Sequence, residues 1–239
     1  MDPRWGRLAV EALATDLRGR LAGVPPGFPQ VERAVRHFFR DRGFRPLPRG
    51  EMGPRDWLLE EVLRRHRGAG LVLALLFGEV VRRAGLPLEF VELEGRVLLQ
   101  YRGPEGTLLL DPAEGGRLRV RAPQDDPAAS AAAVPNRSLL TLLLRRLKEA
   151  YREADDLDRV GRVADLLLVL DADSARDRRD RGLARMEQGN FVEAKGDFRR
   201  YLELEPDAPD AAVIRSYLEE IDVRVRALSR AFGSEPFSR

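Results

Sequence analysis

The stretch Glu89–Gly116, EFVELEGRVLLQYRGPEGTLLLDPAEGG, decides the fold of the first half of this chain. Its apolar residues fall into three short runs. The first, PLEFVELE counted from Pro87, places Leu88, Phe90, Val91 and Leu93 along an extended segment. RVLLQYR and TLLLD follow, separated by the turn-forming GPEG. Short apolar runs bounded by Gly and Pro read as strands, too brief to make helices. RLRV, from Arg117, adds a fourth short strand. Tight connections make neighbouring strands antiparallel, so the stretch predicts a small antiparallel sheet. It closes on Asp111–Pro112 and a double glycine. It contains no histidine, and the whole chain contains no cysteine.

The residues before the sheet read as helices. The first helix is expected over Arg7–Leu21, stopped by GVPPGFPQ. A second is expected over Val31–Arg42, with Val31, Val35, Phe38 and Phe39 at helical spacing and Gly43 as its end. RPLPRGEMGP reads as a loop. Pro54 stands where a helix start tolerates proline, and RDWLLEEVLRRHR should continue from it until Gly68 and Gly70. LVLALLFGEVVRRAG, from Leu71, is apolar almost all round in its first half, the pattern of a helix buried inside a domain. Leu73, Leu76 and Phe77 are expected against the sheet. Helices followed by a small antiparallel sheet make an α+β arrangement.

APQDDPAASAAAVPN, residues 122–136, has no large apolar residue beyond valine and reads as a linker. Everything after it is helical, and it carries a repeat of 34 residues. Tyr151, Leu157, Val160, Ala164, Leu167 and Ala172 are followed 34 positions later by Arg185, Phe191, Ala194, Phe198, Tyr201 and Pro206. GLARMEQGNFVEAKGDFRRYLELEP, Gly182–Pro206, resembles a tetratricopeptide repeat. Gly182 and Gly189 let two antiparallel helices approach, Phe191, Ala194, Phe198 and Tyr201 fill the space between them, and Pro206 ends the second helix. The first copy lacks the glycines and the proline. A last helix, Ala211–Ala231, should cap the stack. The expected organisation is a domain over residues 1–121, a linker over 122–136, helical repeats over 137–232 and a tail over 233–239.

Composition removes several function classes. No apolar run approaches the ~18 residues that a membrane span needs. The N-terminus alternates apolar and charged residues and lacks the apolar core of a secretory signal, so the chain is expected to be cytoplasmic. Without cysteine there is no disulfide, thiolate nucleophile or zinc–sulfur site. The pI is near 9.3, yet the formal charge is only +2. Two of the 41 basic residues are lysines, so few groups titrate just above neutrality and a small positive charge persists to high pH. From Arg137 onward 20 basic residues face 21 acidic ones, which does not make a nucleic-acid-binding arm. The chain has two asparagines and three methionines. That depletion fits a thermophilic source, and the arginine excess fits GC-rich coding equally well.

With both halves placed, the chain resembles the SirB1 family, which joins a transglutaminase-like domain of the papain-like superfamily to a short tetratricopeptide tail. The resemblance covers roughly residues 31–228. It rests on VERAVRHFFRDRGF, on WLLEEVLRRHRGAGLVLALLFGEVVRRAGLPLEFVELEGRVLLQYR and on LLLDPAEGGRL, in the family's order. The wider superfamily places a cysteine at the start of the buried helix, a histidine on a strand and an aspartate on the next. By that resemblance Val72, Arg96 and Asp111 occupy the triad positions, with GRVLLQ standing where the family has a GHFLLR-like turn. Valine offers no nucleophile. Arginine stays protonated and cannot serve as a general base. An Arg96–Asp111 pair is the expected replacement, with the guanidinium in place of the imidazole as partner of the carboxylate.

Other chemistry is sparse. His37 lies beside the apolar face of a helix and His66 at a helix C-terminus, where positive charge is favourable. Both read as structural, and two such distant histidines form no metal signature. No phosphate-binding loop of the G-x-x-x-x-G-K-[ST] type is present. No cofactor or metal is implied. Two functions stay open. One is a non-catalytic interaction, scaffold or regulatory protein that takes a protein or peptide partner on its helical repeats. The other is a hydrolase or acyltransferase using other groups in the transglutaminase-like cleft. Thr15 and Thr107 are the only hydroxyl nucleophiles of the serine–threonine type before Ser130, which counts against the second.

Overall fold

The computed structural model describes residues 3–121 and 132–232. The chain divides into two compact units, Met1–Leu143 and Leu144–Arg239.

In the first unit, helix α1 (Pro3–Leu21) precedes α2 (Phe28–Val35), which runs on as a π-helical turn over Arg36–Asp41. Here the structure departs from the expectation. Phe28–Pro29 begins a helix where the prolines of GVPPGFPQ signalled only a break. Gly27 takes a positive φ of 98° as the N-cap, and Pro29 sits in the first turn, where no intrahelical N–H is required. Arg45–Pro46 (β1) and Arg67–Gly68 (β2) form a short parallel pair, so part of the expected loop is a strand. The helix expected from Pro54 is interrupted. Pro54–Trp57 is a 3-10 turn, and α3 covers only Leu59–Arg65. Asp56 accepts from the Gly53 backbone N–H at 2.9 Å and its carbonyl accepts from Ala69, which diverts its backbone from a helical ladder. His66 closes α3 in the left-handed region with φ 53°.

Helix α4 (Gly70–Ala84) packs on one face of a four-stranded antiparallel meander. The strands are β3 (Leu88–Leu93), β4 (Arg96–Gly103), β5 (Gly106–Asp111) and β6 (Arg117–Arg121), in that order across the sheet. Period-2 alternation sorts their side chains. Leu88, Phe90, Leu99, Tyr101, Leu108 and Leu110 turn to the main core, and Val91, Leu98 and Leu109 to the opposite face. Leu73, Leu76 and Phe77 of α4 are fully buried in that core. The helix can lie this close because of Gly78: a Cβ there would sit 2.3 Å from the Phe90 ring and 3.1 Å from Leu99. Phe38 stacks on Phe44 at 4.2 Å and meets Phe77 edge-on at 5.2 Å, joining the π-helical turn to α4.

Of the expected linker, residues 122–131 lie outside the described residues. Its end does not float free. Ala133 bridges to Val91 and the Val134 N–H donates to the Phe90 carbonyl at 2.8 Å, satisfying backbone groups at the β3 edge. Helix α5 (Asn136–Glu153) begins inside the first unit, where Leu139 is buried and Leu143 packs against the main core. The division therefore falls within this helix at Leu143–Leu144, later than sequence composition placed it. The second unit continues with α6 (Leu157–Leu170), α7 (Ala175–Glu187), α8 (Phe191–Leu204) and α9 (Ala211–Phe232). The expected tail over 233–239 lies outside the described residues. Among the described residues no helix is long and apolar enough to cross a membrane.

Candidate functional site

The site is built by the end of β5 and the start of α4. Asp111 is the last residue of β5 and caps the 3-10 turn Pro112–Glu114. Its Oδ1 accepts the Ala113 backbone N–H at 2.9 Å, a local bond natural to an aspartate before proline. Gly70, the first residue of α4, touches this turn. A Cβ on Gly70 would lie 2.5 Å from that of Ala113, so the glycine brings the helix start beside Asp111's turn. Val72, in the first turn of α4, is 1% exposed, and its side chain belongs to the core.

Arg96 opens β4 and reaches across to two carboxylates. Its Nη2 lies 2.5 Å from Asp111 Oδ2, and its Nη1 donates to Glu114 Oε1 at 3.1 Å. Glu114 also meets Arg117 and Arg119, each at 3.4 Å. The hydrogen bond from Arg96, more than the surrounding guanidinium charges, lowers the Glu114 pKa against the smaller opposing effect of desolvation. Asp111 is almost wholly buried while Arg96 is 42% exposed, so the pair runs from the core to the surface. This arrangement neutralises and orients carboxylates. It engages both terminal nitrogens of the guanidinium, a group that donates hydrogen bonds and accepts none. Sequence reasoning missed Glu114. Its signal was the DPAEGG turn itself, which places an acid three residues after Asp111 and just ahead of Arg117 and Arg119.

The two histidines stand apart from this site. His37 is buried with Nε2 2.9 Å from Asp16 Oδ2 and Nδ1 3.6 Å from Asp41. The His66 ring stacks on Phe44 at 4.3 Å, and its Nδ1 lies 2.7 Å from the Arg42 carbonyl. No cluster of metal-ligating side chains occurs among the described residues.

In the second unit, Gly182 of α7 faces the ring of Phe198 on α8. A Cβ at Gly182 would lie 2.6 Å from that ring. Ala194, Phe198 and Tyr201 are buried, Phe191 packs at the margin of the same cluster, and Gly189 turns the chain between the helices with φ 76°. Pro206 follows the end of α8 and accepts from Arg215 through its carbonyl at 3.0 Å. The earlier helices repeat the device: a Cβ on Gly161 of α6 would meet Ala184 of α7 at 2.7 Å.

Two buried ionic clusters in this unit also escaped sequence reasoning. Lys148 is 3% exposed and donates to Asp177 and, at 2.5 Å, to Asp180. Burial opposes ionisation of Asp180, but the Lys148 ammonium and the Arg179 hydrogen bond outweigh it and hold its pKa below the usual value. Asp197, 2% exposed, receives Arg181 through Nε at 2.8 Å and Nη2 at 2.5 Å, and Arg185 at 2.8 Å. The available signal was Lys148 itself, one of two lysines among so many arginines. It was legible only beside the i, i+3 spacing of Asp177 and Asp180.

Comparison with known proteins gives the same two parts. The transglutaminase-like superfamily model matches residues 5–131, and a tetratricopeptide repeat model matches residues 147–219. A UPF0162 protein of Xylella fastidiosa (strain Temecula1) is 33% identical over 201 residues, spanning 78% of this chain and 72% of the relative. The UPF0162 protein YchA of Escherichia coli K12 is 24% identical over 225 residues, 89% of this chain and 83% of the relative. A UPF0162 protein of Haemophilus influenzae (strain Rd) is 23% identical over 227 residues, 86% and 85% of the two chains. The first unit thus carries the superfamily's domain and the second its repeat, and the chain belongs to the UPF0162 family of transglutaminase-like proteins.

Proposed function

We propose that this chain is a catalytically silent member of the SirB1 type, a non-catalytic interaction or scaffold protein whose helical repeats take a protein or peptide partner. The observations that support this reading are the engagement of Arg96 by Asp111 and Glu114 and the burial of Val72 in the core. At the three positions that the resemblance assigns to nucleophile, base and orienting acid, the side chains are an alkyl group, a permanent cation and its counter-ion. Acyl transfer needs a nucleophile beside a group that accepts its proton, and neither role is filled there. A paired helical repeat offers an extended surface without chemistry of its own.

The test is an activity screen of the purified chain against amide, ester and thioester substrates, with Asp111→Ala as the control. No turnover above background is expected. Turnover that disappears in Asp111→Ala would overturn the reading. In parallel, affinity purification from the native organism should return a stoichiometric protein partner.

A further inference from the structure

A pocket of about 520 Å³ lies between the π-helical turn that extends α2 and the Glu114–Leu118 segment. Its floor is apolar: Val35 and Phe39 are buried and Leu118 is half-buried. One wall is held in place by Gly116, which adopts φ 82° and lies so close to Phe39 that a Cβ would fall 2.4 Å from the ring. Only glycine permits that approach, so the segment stays against the helix.

The polar rim is unbalanced. Arg36 and Arg40 are exposed, stand four residues apart on the π-helical turn, and line the pocket. Neither side chain makes an ion pair or hydrogen bond among the described residues. Arg117 faces them and is tied to Glu114 at 3.4 Å. Glu114 is already shared among Arg96, Arg117 and Arg119, so it cannot neutralise the two free guanidiniums. Glu32 is the remaining carboxylate on the rim. Counting the Arg96 network, five guanidiniums face three carboxylates here. The π-helical geometry is an independent mark, because such turns are rare in helices and recur at functional sites.

We propose that this pocket binds an acidic peptide segment of a partner protein, in which two carboxylate side chains flank an apolar one. Arg36 and Arg40 take the carboxylates, which suit the planar fork of a guanidinium. The apolar side chain rests on Phe39, Val35 and Leu118. The site belongs to the transglutaminase-like domain and is independent of the helical repeats, so it holds whatever partner those repeats take. A floor of apolar side chains distinguishes this ligand from a bare inorganic anion, which would gain nothing from Phe39.

The experiment uses the full chain and an acetylated, fluorescein-labelled peptide in which glutamates flank a single leucine, read by anisotropy at low salt. Saturable binding is expected, weakening as ionic strength rises. The Arg36→Ala/Arg40→Ala variant should lose roughly tenfold or more in affinity, since charge-assisted hydrogen bonds are removed. Both residues are exposed, so unchanged circular dichroism is expected and the loss reads out binding. Arg64→Ala, an exposed arginine on α3, should bind like wild type. A peptide with glutamines for glutamates should bind at least as weakly as the double variant. Absence of binding to wild type, equal binding by the double variant, or equal binding of the glutamine peptide would each overturn the proposal. So would displacement by inorganic phosphate at the concentration at which unlabelled peptide displaces, which would mark a site for any small anion.

Discussion

Arg96 Nη2 lies 2.5 Å from Asp111 Oδ2, and the pair joins the first residue of β4 to the last of β5. The carboxylate is buried and divides its oxygens between this guanidinium and the Ala113 N–H. Its role follows from burial: without Arg96, Asp111 would keep one backbone bond and a charge with no counter-ion.

Arg96→Ala is therefore expected to destabilise the chain by about 1–3 kcal/mol, the usual cost of leaving a buried polar group half-satisfied. Arg96→Lys should recover only part of this, because an ammonium cannot serve Asp111 and Glu114 with the same fork. Urea melts of the three proteins check the order. Equal midpoints would show that the pair contributes nothing to stability.

Helix α4 is the centre of the first unit. Leu76→Asp would place a carboxylate without a partner at a position 1% exposed. The expected cost is about 4 kcal/mol or more, combining lost apolar burial with desolvation of a polar group. Hydrogen exchange of the α4 and β4 amides should then rise to that of an unfolded segment. Protection like that of wild type would show that α4 is not central.

Gly182 and Phe198 should behave as one unit. Phe198→Ala is expected to cost roughly 3–5 kcal/mol, as large-to-small changes at fully buried aromatics do. Gly182→Ala should cost about 1–3 kcal/mol through overpacking against the same ring. The two together should cost less than their sum, since the alanine methyl then enters space the ring has left. A double-mutant cycle measures the coupling. Strict additivity would sever the link between them.

The Lys148 cluster sets the acid limit of the second unit. The Asp180 pKa is lowered below its ordinary 3.8 in the folded chain. A depressed carboxylate stabilises above its unfolded pKa, and that contribution fades as pH falls through the folded value. The loss should therefore begin at about pH 4 and deepen below it, as Lys148 loses the Asp180 carboxylate as a counter-ion. Asp180→Asn should flatten the dependence of the melting temperature on pH in that window. Lys148→Met should lower stability at neutral pH by about 3–5 kcal/mol, since Asp177 and Asp180 lose the ammonium they share and Asp180 keeps only Arg179. A Lys148→Met protein with the acid profile of wild type would exclude this cluster as the cause.

Much of this architecture is written in local pattern. Strand alternation through Leu88 and Phe90 and the all-round apolar start of α4 follow from a side chain's position on one element, and the 34-residue spacing from Ala164 to Phe198 repeats one such pattern along the chain. An element's period is a property of neighbouring residues, so sequence carries it without reference to the rest of the chain. The absence of cysteine is equally a matter of composition alone, and it rules out thiolate chemistry by this chain whatever shape it takes.

Tertiary structure decided what depends on meetings between distant residues. Pro29 is compatible with either a break or a helix start, and the start is fixed by a distant residue: the Phe28 N–H is held by Glu105 at 2.7 Å, 77 residues away. Nothing local joins Glu114 to Arg96, Lys148 to Asp180, or Ala133 to the edge of β3. In a chain with 33% charged residues almost any acid has some arginine nearby in sequence. Which pairs are buried, and which guanidiniums such as Arg36 and Arg40 have no partner among the described residues, is settled only when the core excludes water from some of them. Desolvation then makes the chosen partners costly to remove.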